Sequence, residues 1–282
     1  MFFIPFLLLA LGQSQYQAAL PKEYAPVLPP ADHVLATVNG VPVRGGDVEP
    51  MVWQIYHEAI EQEYIDYVTV KLAADKANVA VTDDEAKKQL AVVLEGVKNS
   101  LPAGVTITQS LSQQGFSDSR LLVRIRTQLL LEKIEMLQFH QADWVRVSAL
   151  VYPTPGGKPD IMKSAGNSAL SDYDKLLKGA SWDALLAHLT TKPDVLKRKG
   201  AVGWRAFNDF PALVRDQLQK IKIGEYTHPE QTRSGIEIFR LDQVGPKAAG
   251  DDFADLRTTF LENMRKETIG RIKAETKVVK TD

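Results

Sequence analysis

Apolar positions change their spacing several times along the chain, and each change marks a different kind of element. Residues Met1 to Leu11 (MFFIPFLLLAL) are apolar without interruption. The run is too short for a bilayer span, which needs about 20 residues, and it has the length of a secretory leader's apolar core. Ala10-Leu11-Gly12 and Ala18-Ala19 offer small-residue cleavage points, so residues 1–19 read as a signal peptide, although no Lys or Arg precedes the run. Residues 20–33 (LPKEYAPVLPPADH) are Pro-rich and read as an extended linker. Val34 to Arg44 (VLATVNGVPVR) predicts two short strands about an Asn39-Gly40 turn, with Pro42 marking an edge strand.

From Gly45 the spacing becomes helical. Asp47 is expected to cap a helix reaching about Asn78, with broken apolar periodicity at Val52, Ile55, Tyr56, Ala59, Val68 and Leu72. Its aromatics, Trp53, Tyr56, Tyr64 and Tyr67, are expected mostly in the core. Thr82 to Glu85 is a capping box for a second helix carrying Leu90, Val93, Leu94 and Val97. A short helix ending at Gly115 follows, and Ser117-Asp118 caps a long one through Met136. Residues 34–143 therefore read as a mainly helical domain.

At Trp144 the period drops to that of a strand, Trp144 to Tyr152. Helices are predicted at Ala169–Lys178 and Trp182–Leu189, a basic loop at Lys192–Lys199, a helix at Phe210–Lys220 and a strand at Gly235–Val244. This βααβαβ-like order over residues 144–247 implies a compact α+β domain. Residues 248–282 hold a long amphipathic helix, Asp251 to Ala274, and a strand-like tail, Lys277 to Lys280.

Composition narrows the chemistry. Lys+Arg number 34 against 35 Asp+Glu, a formal charge of −1, which argues against a whole-chain role in gripping nucleic acid. The absence of Cys excludes thiolate zinc sites, iron–sulfur clusters, disulfides and cysteine nucleophiles. The five His are scattered without metal-ligand spacing, and no phosphate-cradling Gly loop or nucleophile elbow is present.

Five segments of the middle domain, in order, resemble the parvulin family of peptidyl-prolyl isomerases: Val145–Val151, Lys178–Leu185, Lys199–Trp204, Lys222–Glu225 and Ser234–Leu241. With its flanks, the chain is similar to the SurA- and PrsA-type export chaperones. That resemblance implies an α+β fold with a helical chaperone lobe, a parvulin-like domain, and a C-terminal helix and strand at 248–282 returning to complete the lobe. The tail strand would then pair with Val34–Val38. It further implies an exported protein, periplasmic or in the cell envelope, whose partners are unfolded or nascent exported polypeptides. No cofactor, metal, nucleic acid or stable membrane span is implied.

Rotating an X–Pro bond crosses a barrier of about 18–20 kcal/mol without any covalent step. A site needs an apolar slot for the ring and placed polar groups that favour the twisted amide. The resemblance places a pair of hydrogen-bonded histidines beneath that slot, at positions filled here by Ala149 and Glu237. Phe210, Val214 and Trp204 are the candidate slot, and Asp194 a candidate polar group. The reading is an extracytoplasmic chaperone with weak or lost isomerase activity. An active isomerase with a divergent site and a dedicated partner-binding subunit are the alternatives.

Overall fold

The computed structural model describes residues 20–26 and 30–279. The expected leader lies outside them, as does Lys280 of the expected terminal strand. The fold is α+β, and the described residues divide into two compact units: those up to Gln138 together with those from Met264 on, and Phe139–Asn263.

In the first unit, strands β1 (Val34–Val38) and β2 (Val41–Arg44) pair antiparallel. They turn at Asn39 and Gly40, both at positive φ (50° and 83°), as a tight hairpin requires. Helix α1 (Gly45–Lys76) starts two residues before Asp47, whose carboxylate reaches back to accept the Arg44 backbone N–H at 2.8 Å. Helix α2 (Asp83–Asn99) opens on the Thr82–Glu85 capping box, α3 (Ile107–Gln113) on a similar Thr106–Gln109 box, and α4 (Asp118–Met136) on Ser117.

The core of this unit lies where the second half of α1 meets α4: Tyr67, Val70 and Ala74 pack against Val123, Leu130, Leu131 and Ile134. Ala86 and Leu90 of α2 meet Leu122 and Ile125 on another side of α4. The C-terminal helix α9 (Asp251–Ala274) returns to this core through Ile272. It also supplies Arg265, whose Nε and Nη2 donate to both oxygens of the fully buried Glu135 at 3.0 and 3.2 Å.

Two expectations about the C-terminal segment are corrected. Only the last turns of α9 join the first unit. Its first half belongs to the second, because Phe253 and Phe260 pack their rings on Phe139, and Phe260 also on Trp144. Residues 277–279 form no strand, and β1 pairs only with β2 among the described residues. Val278 and Val279 are exposed, and so short an apolar stretch does not offset the entropy of ordering a strand.

The second unit is built on a four-stranded antiparallel sheet of order β4-β3-β6-β5. Its elements run β3 (Trp144–Tyr152), α5 (Pro159–Leu177), α6 (Trp182–Leu189), α7 (Pro193–Lys197), β4 (Ala201–Ala206), α8 (Ala212–Leu218), β5 (Glu230–Gln231) and β6 (Ile236–Val244). Helix α5 begins ten residues before its predicted start, with Pro159 at a first-turn position. The predicted basic loop contains the short helix α7, which also has Pro in its first turn and packs Val195 and Leu196 on the core.

Alternation along β3 gives the sheet two apolar faces. Leu150 and Tyr152, with Ile238 of β6, carry α5 and α6. Val145, Val147 and Ala149, with Phe239 and Leu241 of β6, carry α8 through Val214 and Leu218.

Candidate functional site

The α8 face of the sheet holds a cavity of about 520 Å³. Phe210 and Phe239 form its apolar wall, their rings edge to face at 5.4 Å between centroids. Val202 of β4 and Pro211 extend the wall, and Arg205, Asp209, Thr232 and Arg233 supply the polar rim. Val202 reaches it because β4 bulges opposite Val147–Ser148. Thr232, Arg233 and Ser234 reach it from the turn before β6, where Thr232 donates its N–H to the Gly235 carbonyl at 2.8 Å. Gly235 sits at φ 139°, where an added Cβ would meet the Tyr152 carbonyl oxygen at 2.2 Å, so a side chain there would push β6 off β3.

Glu237 lines the cavity and is 8% exposed. Burial pushes its carboxyl above the ordinary carboxylate range, partly opposed by a hydrogen bond from the Thr232 side chain. Raised in this way, the group holds a proton to higher pH than a surface Glu, and the protonated acid can donate a hydrogen bond inside an apolar slot.

The candidate residues separate into two groups. Ala149 pairs with Phe239 and Glu237 with Val151 across β3 and β6, so Ala149 and Glu237 lie diagonally on one face of one sheet. Val214 is fully buried beneath that face and Phe210 is packed against the same cluster. Trp204 and Asp194 are not part of it. Trp204 pairs with Arg146, whose side chain shares the opposite face with Ser148 and Leu150. The Arg146 guanidinium lies 5.6 Å over the Trp204 ring, so the residue is a packing element. Asp194 is exposed in the first turn of α7. The sequence reading missed Thr232, Arg233, Arg205 and Phe239, which converge only through strand register. Among the described residues no group of three or more His, Asp or Glu is placed to hold a metal ion.

A second surface occurs on the first unit. The predicted burial of the α1 aromatics holds for Tyr67, 4% exposed, and fails for the others. Trp53 is 68% exposed and Ile55 70%, and Met51, Val52, Tyr56, Ile60 and Tyr64 are exposed as well. The cause is the extent of α4. Arg120, near its start, clamps Glu63 bidentately at 2.8 and 2.9 Å. Toward the N-terminus of α1 beyond that clamp, the hairpin β1–β2 lies near the helix but keeps its own Leu35, Val38 and Val41 exposed. Leu35, Val52, Trp53, Tyr56 and Ile60 line a largely apolar groove of about 590 Å³.

The family description for the rotamase, or PPIC-type PPIase, domain matches residues 154–243, from just after β3 into β6. Chaperone SurA of Pseudomonas syringae pv. tomato is 22% identical over 237 residues, covering 76% of this chain and 53% of that protein. Chaperone SurA of Chromohalobacter salexigens is 20% identical over 282 residues, covering 85% and 61%. The chain spans about half the length of the first of these relatives. A crystal structure of the peptidylprolyl isomerase PrsA from Bacillus cereus overlays with a TM-score of 0.42 at 13% identity, over 89% of this chain and 95% of that one. Residues 154–243 thus match the rotamase (PPIC-type PPIase) domain, and the chain is similar to SurA chaperones over about three quarters of its length.

Proposed function

We propose that the protein is an extracytoplasmic folding chaperone that holds unfolded polypeptides on the exposed half of α1. Its rotamase domain serves as a modified frame with weak or no isomerase activity. The observation that carries the proposal is the row of large apolar side chains left open on α1, because contiguous exposed apolar surface on a folded protein marks an interaction site. The similarity to SurA chaperones supports a polypeptide as the partner. The apolar run Met1–Leu11 supports export, and no helix among the described residues is long and apolar enough to cross a membrane.

The cavity supports the statement about catalysis. Its slot has an apolar wall and one buried carboxyl, and Ala149, buried on the same sheet face, offers only a methyl where the parvulin resemblance places an imidazole. Removing both members of a hydrogen-bonded pair removes their mutual polarisation.

The test is paired. The purified protein suppresses aggregation of an unfolded client at near-stoichiometric ratio and leaves the isomerisation rate of a short X–Pro peptide at background. A folded protein that fails to suppress aggregation contradicts the holding role. A robust isomerisation rate that collapses on Phe210→Ala contradicts the catalytic statement and favours the divergent enzyme, with protonated Glu237 as the donor.

A further inference from the structure

The open half of α1 carries charge of one sign only. Between Gly45 and Tyr64 stand Asp47, Glu49, Glu58, Glu61 and Glu63, with no Lys or Arg. Glu49 and Glu61 border the apolar groove, and Glu49 and Glu58 are exposed. The neighbouring cations are engaged: Arg120 is held by Glu63, and the Arg44 guanidinium donates to the Asp32 carbonyl at 3.0 Å. Tyr56 and the face of Trp53 that is not stacked on His57 present large ring surfaces beside these carboxylates. Carboxylates and open aromatic faces together suit an ammonium or guanidinium group, whose aliphatic stem can lie along the apolar floor.

We infer that this surface selects cationic apolar segments, unfolded stretches in which Lys or Arg flank aliphatic or aromatic residues. The inference rests on the holding role proposed above and names its substrate class. A second copy of the chain is the competing occupant, and the charge pattern opposes it. Two such helix halves laid together would bring the exposed Glu49 and Glu58 of each copy into one interface, with no Lys or Arg in either half beside them.

The experiment uses the full protein and two labelled, unstructured peptides of equal length and identical Phe, Leu and Trp content, one flanked by Lys and Arg, the other by Glu. Fluorescence anisotropy reads binding. The cationic peptide is expected to bind about tenfold more tightly in about 0.1 M salt. Its advantage should shrink toward parity in about 1 M salt, where the screening length has fallen from about 10 Å to about 3 Å. Glu49→Lys with Glu58→Lys should remove or invert the preference, while Trp53→Ala with Tyr56→Ala should weaken both peptides.

Equal affinities for the two peptides overturn the charge inference and leave the holding role standing. Binding of neither peptide by a folded protein overturns the holding role itself. Sedimentation that shows a dimer abolished by Trp53→Ala with Tyr56→Ala assigns the face to a second copy and overturns the inference.

Discussion

Tyr67 and Trp53 stand on the same helix, and one is 4% exposed while the other is 68% exposed. Both are aromatic and both fall in a broken apolar pattern. What separates them is the surface across from each. Tyr67 meets Leu130, Leu131 and Ile134 of α4 in a closed cluster, whereas Trp53 meets its own helix neighbour His57, stacked at 5.1 Å. Burial is thus decided by the partner element, and the half of α1 without one is free to be covered by another molecule at little cost to the fold. The second unit makes the same point from the other side. Its sheet is covered on both faces, and what remains open there is a bounded cavity rather than a helix-long stripe.

The largest effect expected from this contrast is in stability. Tyr67→Ala should cost about 3–5 kcal/mol, the usual range for truncating a buried aromatic. Trp53→Ala should stay within about 0.5 kcal/mol, as at an exposed site. Urea unfolding of the two variants reads the difference directly, and similar losses would erase the distinction between the halves.

Next is the ion pair that ties the end of α9 to α4. Arg265→Ala leaves the Glu135 carboxylate buried without its partner and should cost about 3 kcal/mol. Replacing both residues together, Arg265→Met with Glu135→Leu, should recover most of that loss. A double variant as unstable as the single one would show that the charges themselves, not the orphaned carboxylate, matter.

The smallest effect concerns the buried carboxyl of the cavity. The folded-state pKa of Glu237 is raised by burial above its ordinary value. Its stabilising contribution is therefore fully present below the ordinary carboxylate range and is lost as pH rises through the folded-state value. Glu237→Gln should flatten the pH dependence of the melting temperature and stabilise the protein above that value. A stability loss on Glu237→Gln at neutral pH would show the carboxylate to be paired rather than merely buried.

Much of the architecture is written in local signals. The Asn39-Gly40 turn, the Thr82–Glu85 box and the alternation from Trp144 to Tyr152 each specify their element without help from distant residues. The placement of Ala149 and Glu237 on one sheet face follows from the same alternation once β3 and β6 are paired. Other features depend on register and coverage. Trp204 falls on the far face because it pairs with Arg146, and the bulge after Gly203's partner carries Val202 to the cavity. No local pattern announces either. The exposure of Trp53 and Tyr56 is of the same kind, since it depends on where α4 starts. The one available hint was charge, because this helix half carries five acids and no Lys or Arg.

The most direct test of the central claim compares the wild-type protein with Trp53→Ala/Tyr56→Ala in suppressing aggregation of an unfolded client, with urea unfolding run on both. The open half of α1 as the holding surface predicts that the double variant loses most of its suppression while its unfolding midpoint stays nearly unchanged. Full suppression by an equally stable double variant would contradict it.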